Sequence, residues 1–205
     1  MNVGIYVYNQ AEVLDFAGPF EVFTTASRVH ARSRSNDPRL FEVYLVAQEA
    51  QFIRARADFM VRPHYTIGNH PVLDVLIVPG GVHIGELGNR PVIDWIARVS
   101  SQTRLTASVC TGAFLLAEAG VLLDRSCTTH WEDIPDLRAR YPTQEVKENV
   151  PWVDTGSVIT SAGISAGIEM ALHLIARLAG KDLARSTARQ MQYTWTSESL
   201  SKESE

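Results

Sequence analysis

The run Asp74-Val75-Leu76-Ile77-Val78, closed by Pro79-Gly80-Gly81, is apolar at every position after the first. A strand without polar alternation has no face to give to water, so it belongs inside a sheet that helices cover on both sides. The rest of the chain supplies such a sheet and such helices, alternating short β-branched runs with longer stretches at helical spacing. Val3 to Tyr8, Phe41 to Val46 and Leu105 to Val109 read as further strands. Gly18 to His30 reads as a helix, with Phe20, Val22, Phe23 and Ala26 near helical spacing. Further helices are predicted over Pro91 to Ser101, Thr111 to Ala119 (stopped by Gly120), His130 to Tyr141, Ile164 to Ala179 and Asp182 to Gln190. Pro135 marks an alternative start for the helix predicted over His130 to Tyr141. Trp152-Val153 and Ser157 to Thr160 bracket Asp154-Thr155-Gly156, a hairpin signal, and a second small hairpin is predicted between Phe59 and Pro71. Ala31 to Arg39 is a polar surface loop. The pattern predicts an α/β fold, a sandwich around a mostly parallel sheet, whose ligands sit outside the carboxyl ends of the strands.

Composition excludes several function classes. At 205 residues and 45% hydrophobic, the chain suits one domain, predicted over 1–196, with a disordered polar tail from Ser197 to Glu205. Nineteen Lys and Arg against 23 Asp and Glu give a net charge of -4, which argues against a nucleic-acid partner. Two cysteines are too few for a disulfide scaffold. No apolar run approaches the ~20 residues that span a bilayer. The first residues, Met1 to Tyr8, read as a strand rather than a secretory signal, so a cytoplasmic location is expected.

The segment Ala107-Ser108-Val109-Cys110-Thr111-Gly112 runs a strand directly into a helix, with Cys110 at the turn. Such a turn lifts a side chain to the carboxyl edge of the sheet. The helix N-terminus adds a dipole that would lower the thiol's pKa. Cys110 is on these grounds a nucleophile or, equally, a small buried hydrophobe in a tight turn. Cys127 has no such turn and reads as inert. Asp15, between the first strand and a helix start, is either an N-cap or a carboxyl able to shuttle a proton at the same sheet edge. Gly80 and Gly81 either make a plain turn or offer amides to a developing negative charge.

Together the Cys-Thr-Gly turn, Leu14-Asp15-Phe16-Ala17-Gly18-Pro19, Pro79-Gly80-Gly81 and Thr128-Thr129-His130-Trp131 resemble the ThiJ/PfpI superfamily, which has a class I glutamine-amidotransferase-like fold. Within it the chain most resembles isocyanide hydratase and the amidase-like sensor domains of AraC-type regulators. The resemblance runs from the first strand to about Tyr193. It implies a flavodoxin-like three-layer α/β/α sandwich, a homodimer, and Cys110 as the nucleophile on an elbow. It further implies Asp15 as the acidic partner, with the amides of Gly81 and Thr111 near the reacting group. PfpI-type proteases carry His after the nucleophile, where this chain has Thr111, which argues against a protease. Glyoxalase-like members carry Glu at the first acidic position, so Asp15 favours the hydratase group. The sequence runs out at Glu205 without the helix-turn-helix pair of the regulators, so a free-standing domain is expected.

The chemistry implied is attack of Cys110 on an isocyanide carbon, giving a thioimidate that water releases as a formamide. Asp15 would carry the proton, and the Thr111 hydroxyl would orient Asp15 or the water. The substrate is a small molecule, and no metal or organic cofactor is called for. His130 is a candidate wall of the site or a structural helix residue; Glu132 and Glu169 could approach it. His173 reads as a hydrogen-bonded core or interface residue, and His30, His64, His70 and His83 show no ligand spacing. Ser161 to Gly167 lacks the spacing of a phosphate loop and reads as strand-to-helix packing. Trp95, Trp131, Trp152 and Trp195 read as core, with a pocket wall or a dimer face as the alternative. The alternative function is a non-catalytic sensor whose Cys110 is oxidised or which binds a small molecule.

Overall fold

Val75–Val78 (β6) is the middle strand of a seven-stranded sheet, and all four of its residues are buried. The computed structural model describes residues 1–33 and 39–196, so the tail predicted from Ser197, and the middle of the loop predicted over Ala31 to Arg39, lie outside the described residues. The remaining strands are Asn2–Tyr6 (β1), Glu42–Ala47 (β2), Ile53–Arg54 (β3), Met60–Val61 (β4), Tyr65–Thr66 (β5), Leu105–Val109 (β7), Trp152–Asp154 (β8) and Val158–Ser161 (β9). The sheet order is β5-β2-β1-β6-β7-β9-β8. Within this sheet every pairing is parallel except β8 with β9, which turn back on each other at the hairpin; β3 and β4 form a separate antiparallel pair. The helices are Val13–Ser33 (α1), Ile84–Leu87 (α2), Arg90–Ser100 (α3), Gly112–Glu118 (α4), Ile134–Arg140 (α5), Ala166–Ala179 (α6) and Lys181–Gln190 (α7). Helices α1, α6 and α7 pack together, as do α2, α3 and α4, so the sheet has a helical layer on each face. The architecture is the flavodoxin-like α/β/α sandwich that a doubly buried β6 requires.

Two local readings are corrected, and the choice of helix start near Pro135 is decided. Helix α1 starts at Val13, so Gly18-Pro19 lies inside it and Asp15 sits in its first turn rather than ahead of it. Pro19 cannot donate to the Asp15 carbonyl, a helix-weakening loss. Gly18 is there for packing instead: a Cβ would lie 3.0 Å from Ile168 Cγ1 on α6. In the region before Pro71, the hairpin pairs β4 with β3, while β5 leaves it to extend the main sheet beside β2. The fourth predicted helix opens as a 3-10 turn over Trp131–Asp133 and becomes α-helical at Ile134, with Pro135 in its first turn.

Candidate active site

Three loops meet at the carboxyl edge of adjacent strands β6, β7 and β9. The first carries Cys110, between β7 and α4, in a left-handed conformation with φ of 56°. A side chain in that region costs on the order of 1–3 kcal/mol, so surrounding bonds must hold it. They do so at both ends of the residue. The Cys110 amide donates to the carbonyls of Ser161 and Ala162, each at 3.2 Å, and its carbonyl accepts from Thr129 Oγ1 at 2.8 Å. Thr129, read only as part of a motif, therefore anchors the elbow. Gly112 closes the turn onto β6, where a Cβ would overlap the Val78 carbonyl oxygen and lie 3.0 Å from the Pro79 carbonyl carbon. Because those neighbours are backbone, they cannot move aside. Gly112→Ala is expected to lose about 3 kcal/mol or more of stability, read as a lowered urea midpoint.

The second loop is Pro79-Gly80-Gly81. Gly81 has φ of 141°, and a Cβ there would run into the Gln10 carbonyl. The Gly80 amide donates to Asp15 Oδ2 at 3.0 Å. The Gly81 amide donates to Thr111 Oγ1 at 2.9 Å, and that hydroxyl donates back to the Gly81 carbonyl at 3.1 Å. The expectations for these residues change accordingly. Both glycine amides are already engaged, and the Thr111 hydroxyl ties two loops together instead of orienting Asp15. The reason is proximity: the glycine turn lies against both the start of α1 and the elbow, and its donors are used there.

The third loop follows β9, and sequence reasoning treated it as packing. Ile164 has φ of 50°, rare for a β-branched residue. Its amide dipole acts on both the Cys110 thiol and the Asp15 carboxyl and opposes the rise that burial gives each, and the Thr111 amide does the same at the thiol. The donors beside the sulfur are thus those of Thr111 and Ile164. Only the sheet order, which sets β9 next to β7, brings Ile164 here.

Electrostatics follow from burial. Asp15 has no exposed surface, and its Oδ1 lacks a conventional hydrogen-bond partner. Desolvation raises its pKa from an ordinary 3.8 to about 7, against the pull of the Gly80 amide, the nearby thiol and the Ile164 amide. Desolvation likewise pushes the Cys110 thiol up to about 12, with the Asp15 charge adding to the rise. The thiol lowered by a helix dipole is therefore corrected: Cys110 is 8% exposed, and burial beside a carboxyl outweighs two backbone amides. Tyr8, also missed, is a buried phenol without a hydrogen-bond partner that feels the charges of Asp15, Glu86 and Cys110.

Above the thiol lies an open cleft of about 470 Å³, with Cys110, Thr111, Gly81 and Ile164 among its lining. His130 forms one wall, its ring lodged against the Cα of Gly163 and its Nδ1 3.3 Å from Asp133 Oδ2. His83 forms another; it packs tilted against Phe114 with centroids 4.4 Å apart, and burial holds its pKa below the usual value. Glu132 reaches the rim. Glu169 does not line the cleft and accepts from Thr196 Oγ1 at 2.7 Å. His173 lies elsewhere, 2.7 Å from Asp154 Oδ2 and stacked on Trp152. None of the four tryptophans lines the cleft, and Trp95 donates to His70 Nε2 at 2.8 Å. Cys127 is fully buried. Among the described residues, no cluster of three or more His, Cys, Asp or Glu could hold a metal ion, and no helix is long and apolar enough to cross a membrane.

Residues 1–177 match the family model described as DJ-1/PfpI family. The chain belongs to that family. It is 32% identical over 194 residues to an isonitrile hydratase of Pseudomonas putida, covering 94% of this chain and 78% of that protein. It is 25% identical over 192 residues to the helix-turn-helix transcriptional regulator GbdR of Pseudomonas aeruginosa, covering 94% of this chain and 50% of the regulator. Among solved structures, a ThiJ/PfpI family protein from Pseudomonas syringae superposes with a TM-score of 0.82 at 24% identity, over 94% of this chain and 74% of that one. Drosophila melanogaster DJ-1beta superposes at 0.76 and 19% identity, over 95% and 98%. At those identities the two structures speak to the fold alone. The DJ-1/PfpI family thus includes an enzyme and regulators similar to this chain, and the choice between them rests on the site.

Proposed function

We propose that this DJ-1/PfpI protein is a cofactor-free hydratase that converts a small isocyanide to an N-substituted formamide through Cys110. The observation that carries the reading is Cys110 in the lining of an open cleft with Asp15 buried behind it, the carboxyl near pKa 7 and close to the thiol. A high-pKa thiol is a poor nucleophile alone, but a carboxylate beside it can take its proton as the bond forms. Asp15 accepts the thiol proton while sulfur bonds to the isocyanide carbon, then returns that proton to the same carbon, leaving R–N=CH–S–Cys. Water adds to this thioimidate; one proton passes through Asp15 to nitrogen, the C–S bond breaks, and the thiol regains the other. The products are R–NH–CHO and free Cys110. The amides of Thr111 and Ile164 stabilise negative charge on sulfur in both steps. The similarity to the Pseudomonas putida isonitrile hydratase supports the reading.

The experiment is formamide production, followed by NMR, from a panel of aliphatic and aromatic isocyanides. Turnover of at least one member above the uncatalysed rate is expected; no turnover of any would overturn the assignment. A second reading, a small-molecule sensor, is favoured by the similarity to GbdR. The oxidation-sensing form of that reading loses ground, because a thiol near pKa 12 carries little thiolate at neutral pH.

A further inference from the structure

Across the cleft from the reacting pair, charge is distributed one-sidedly. Glu132, Asp133 and Asp136 stand together where the 3-10 turn runs into α5, and Glu12 also lines the cleft. The only guanidinium lining the cleft among the described residues, that of Arg56, lies 3.7 Å from Glu12 and is matched by it. Arg140, just outside, is taken up by Glu118 at 3.1 Å and by the Tyr141 hydroxyl. Asp133 faces His130, while Glu132 reaches the same ring only at 4.0 Å and is 64% exposed. Asp136 is exposed and has no cationic side chain on it among the described residues. The acidic wall is not an isolated surface cluster. It overlooks Cys110, and behind that thiol the fully buried Asp15 has an oxygen left without a partner.

A sphere of the cleft's volume, about 470 Å³, is about 10 Å across, close to the screening length of ~8–10 Å in physiological salt. The wall is therefore felt at the reacting sulfur, where Asp133 does act; at His83, Asp133 and Asp136 act together against Arg140. Clefts lined by one sign of charge concentrate ligands of the other sign. We infer that Glu132, Asp133 and Asp136 select a cationic substrate, an isocyanide whose substituent ends in a protonated amine or quaternary ammonium, over neutral and carboxylate-bearing ones. The substrate class rests on the hydratase reading; the charge selectivity of the cleft does not.

The test separates the two. Cys110 is labelled with a pair of methanethiosulfonate reagents of equal size, one ending in trimethylammonium and one in sulfonate. Labelling is assigned by peptide mass, and the rate ratio is normalised to the same ratio for a small free thiol, which cancels the thiol's own reactivity. The expected ratio favours the cation by about tenfold or more at low salt. It should fall at least about threefold in 0.5 M salt, and likewise in the Asp136→Asn, Glu132→Gln double variant, whose surface positions leave folding intact. A normalised ratio near one, or one that the double variant leaves unchanged, would overturn the charge selectivity. In parallel, kcat/KM is measured for isocyanides ending in ammonium, methyl and carboxylate, and is expected to fall in that order. An order that does not follow charge would overturn the substrate class. If no isocyanide turns over but the labelling ratio holds, the hydratase reading fails and the selectivity of the cleft stands.

Discussion

Replacing Cys110 by Ala is expected to reduce formamide production by at least about 10⁴-fold, to the uncatalysed background, while the protein stays folded. The loss is large because the thioimidate cannot form without sulfur, and Asp15 alone has no nucleophile to activate. Folding should survive because the substitution removes one atom from a residue held through its backbone, by Ser161, Ala162 and Thr129. Alanine must adopt the same φ of 56°, so no strain is relieved. Urea unfolding should shift by no more than about 1.5 kcal/mol. A folded Cys110→Ala variant that retains appreciable turnover would end the covalent mechanism. Wild-type protein quenched during turnover should carry the added mass of the isocyanide on the Cys110 peptide.

Asp15→Asn is expected to weaken catalysis and strengthen the fold. Without the proton carrier, kcat/KM should fall by about 10²–10⁴-fold. In the wild type, kcat/KM should rise with pH through about 7, because below it both members of the pair hold protons and no base remains. The Asn variant should lack that limb, which a merely structural role for Asp15 would not predict. The stability effect has the opposite sign. A carboxyl whose folded pKa is raised from 3.8 to about 7 favours the folded state fully below pH ~4, and that contribution is lost as pH rises through about 7. The penalty for carrying the charge above that range reaches ~4 kcal/mol. Asn keeps an oxygen for the Gly80 amide and carries no charge. At pH 8 the variant should therefore unfold at higher urea, by about 1–3 kcal/mol, with the difference vanishing near pH 4. Equal stability at both pH values would show that no charge is being buried at Asp15.

The two predictions use residues that sequence reasoning could reach, and their magnitudes use facts it could not. Strand β7 falls where its residues predict, and β6 within one residue, because an unbroken apolar run is a local record of burial on both faces. The turn at Cys110 was legible from the small residues around it, and Asp15 from its place after the first strand. The start of α1 was not legible, since the packing of Gly18 on Ile168 of α6 overrides the usual meaning of Gly-Pro. The engagement of the Gly80 and Gly81 amides was equally hidden, because their acceptors lie in α1 and at the elbow, distant in the chain. Ile164 and Thr129 were passed over for the same reason.

The sequence by itself determined the layered fold and the pair of side chains that face each other at its edge. Hydrophobic period and turn chemistry are properties of neighbouring residues, so they can be read along the chain. Only the tertiary structure decided how that pair holds its protons. Desolvation depends on everything packed around a group, and here it outweighs a helix terminus, raising the thiol to about 12 and the carboxyl to about 7. The same is true of the donors at the sulfur and the acidic wall above it. Each is assembled from segments that meet only because β9 lies beside β7 and because α5 and the start of α1 overhang the strand ends.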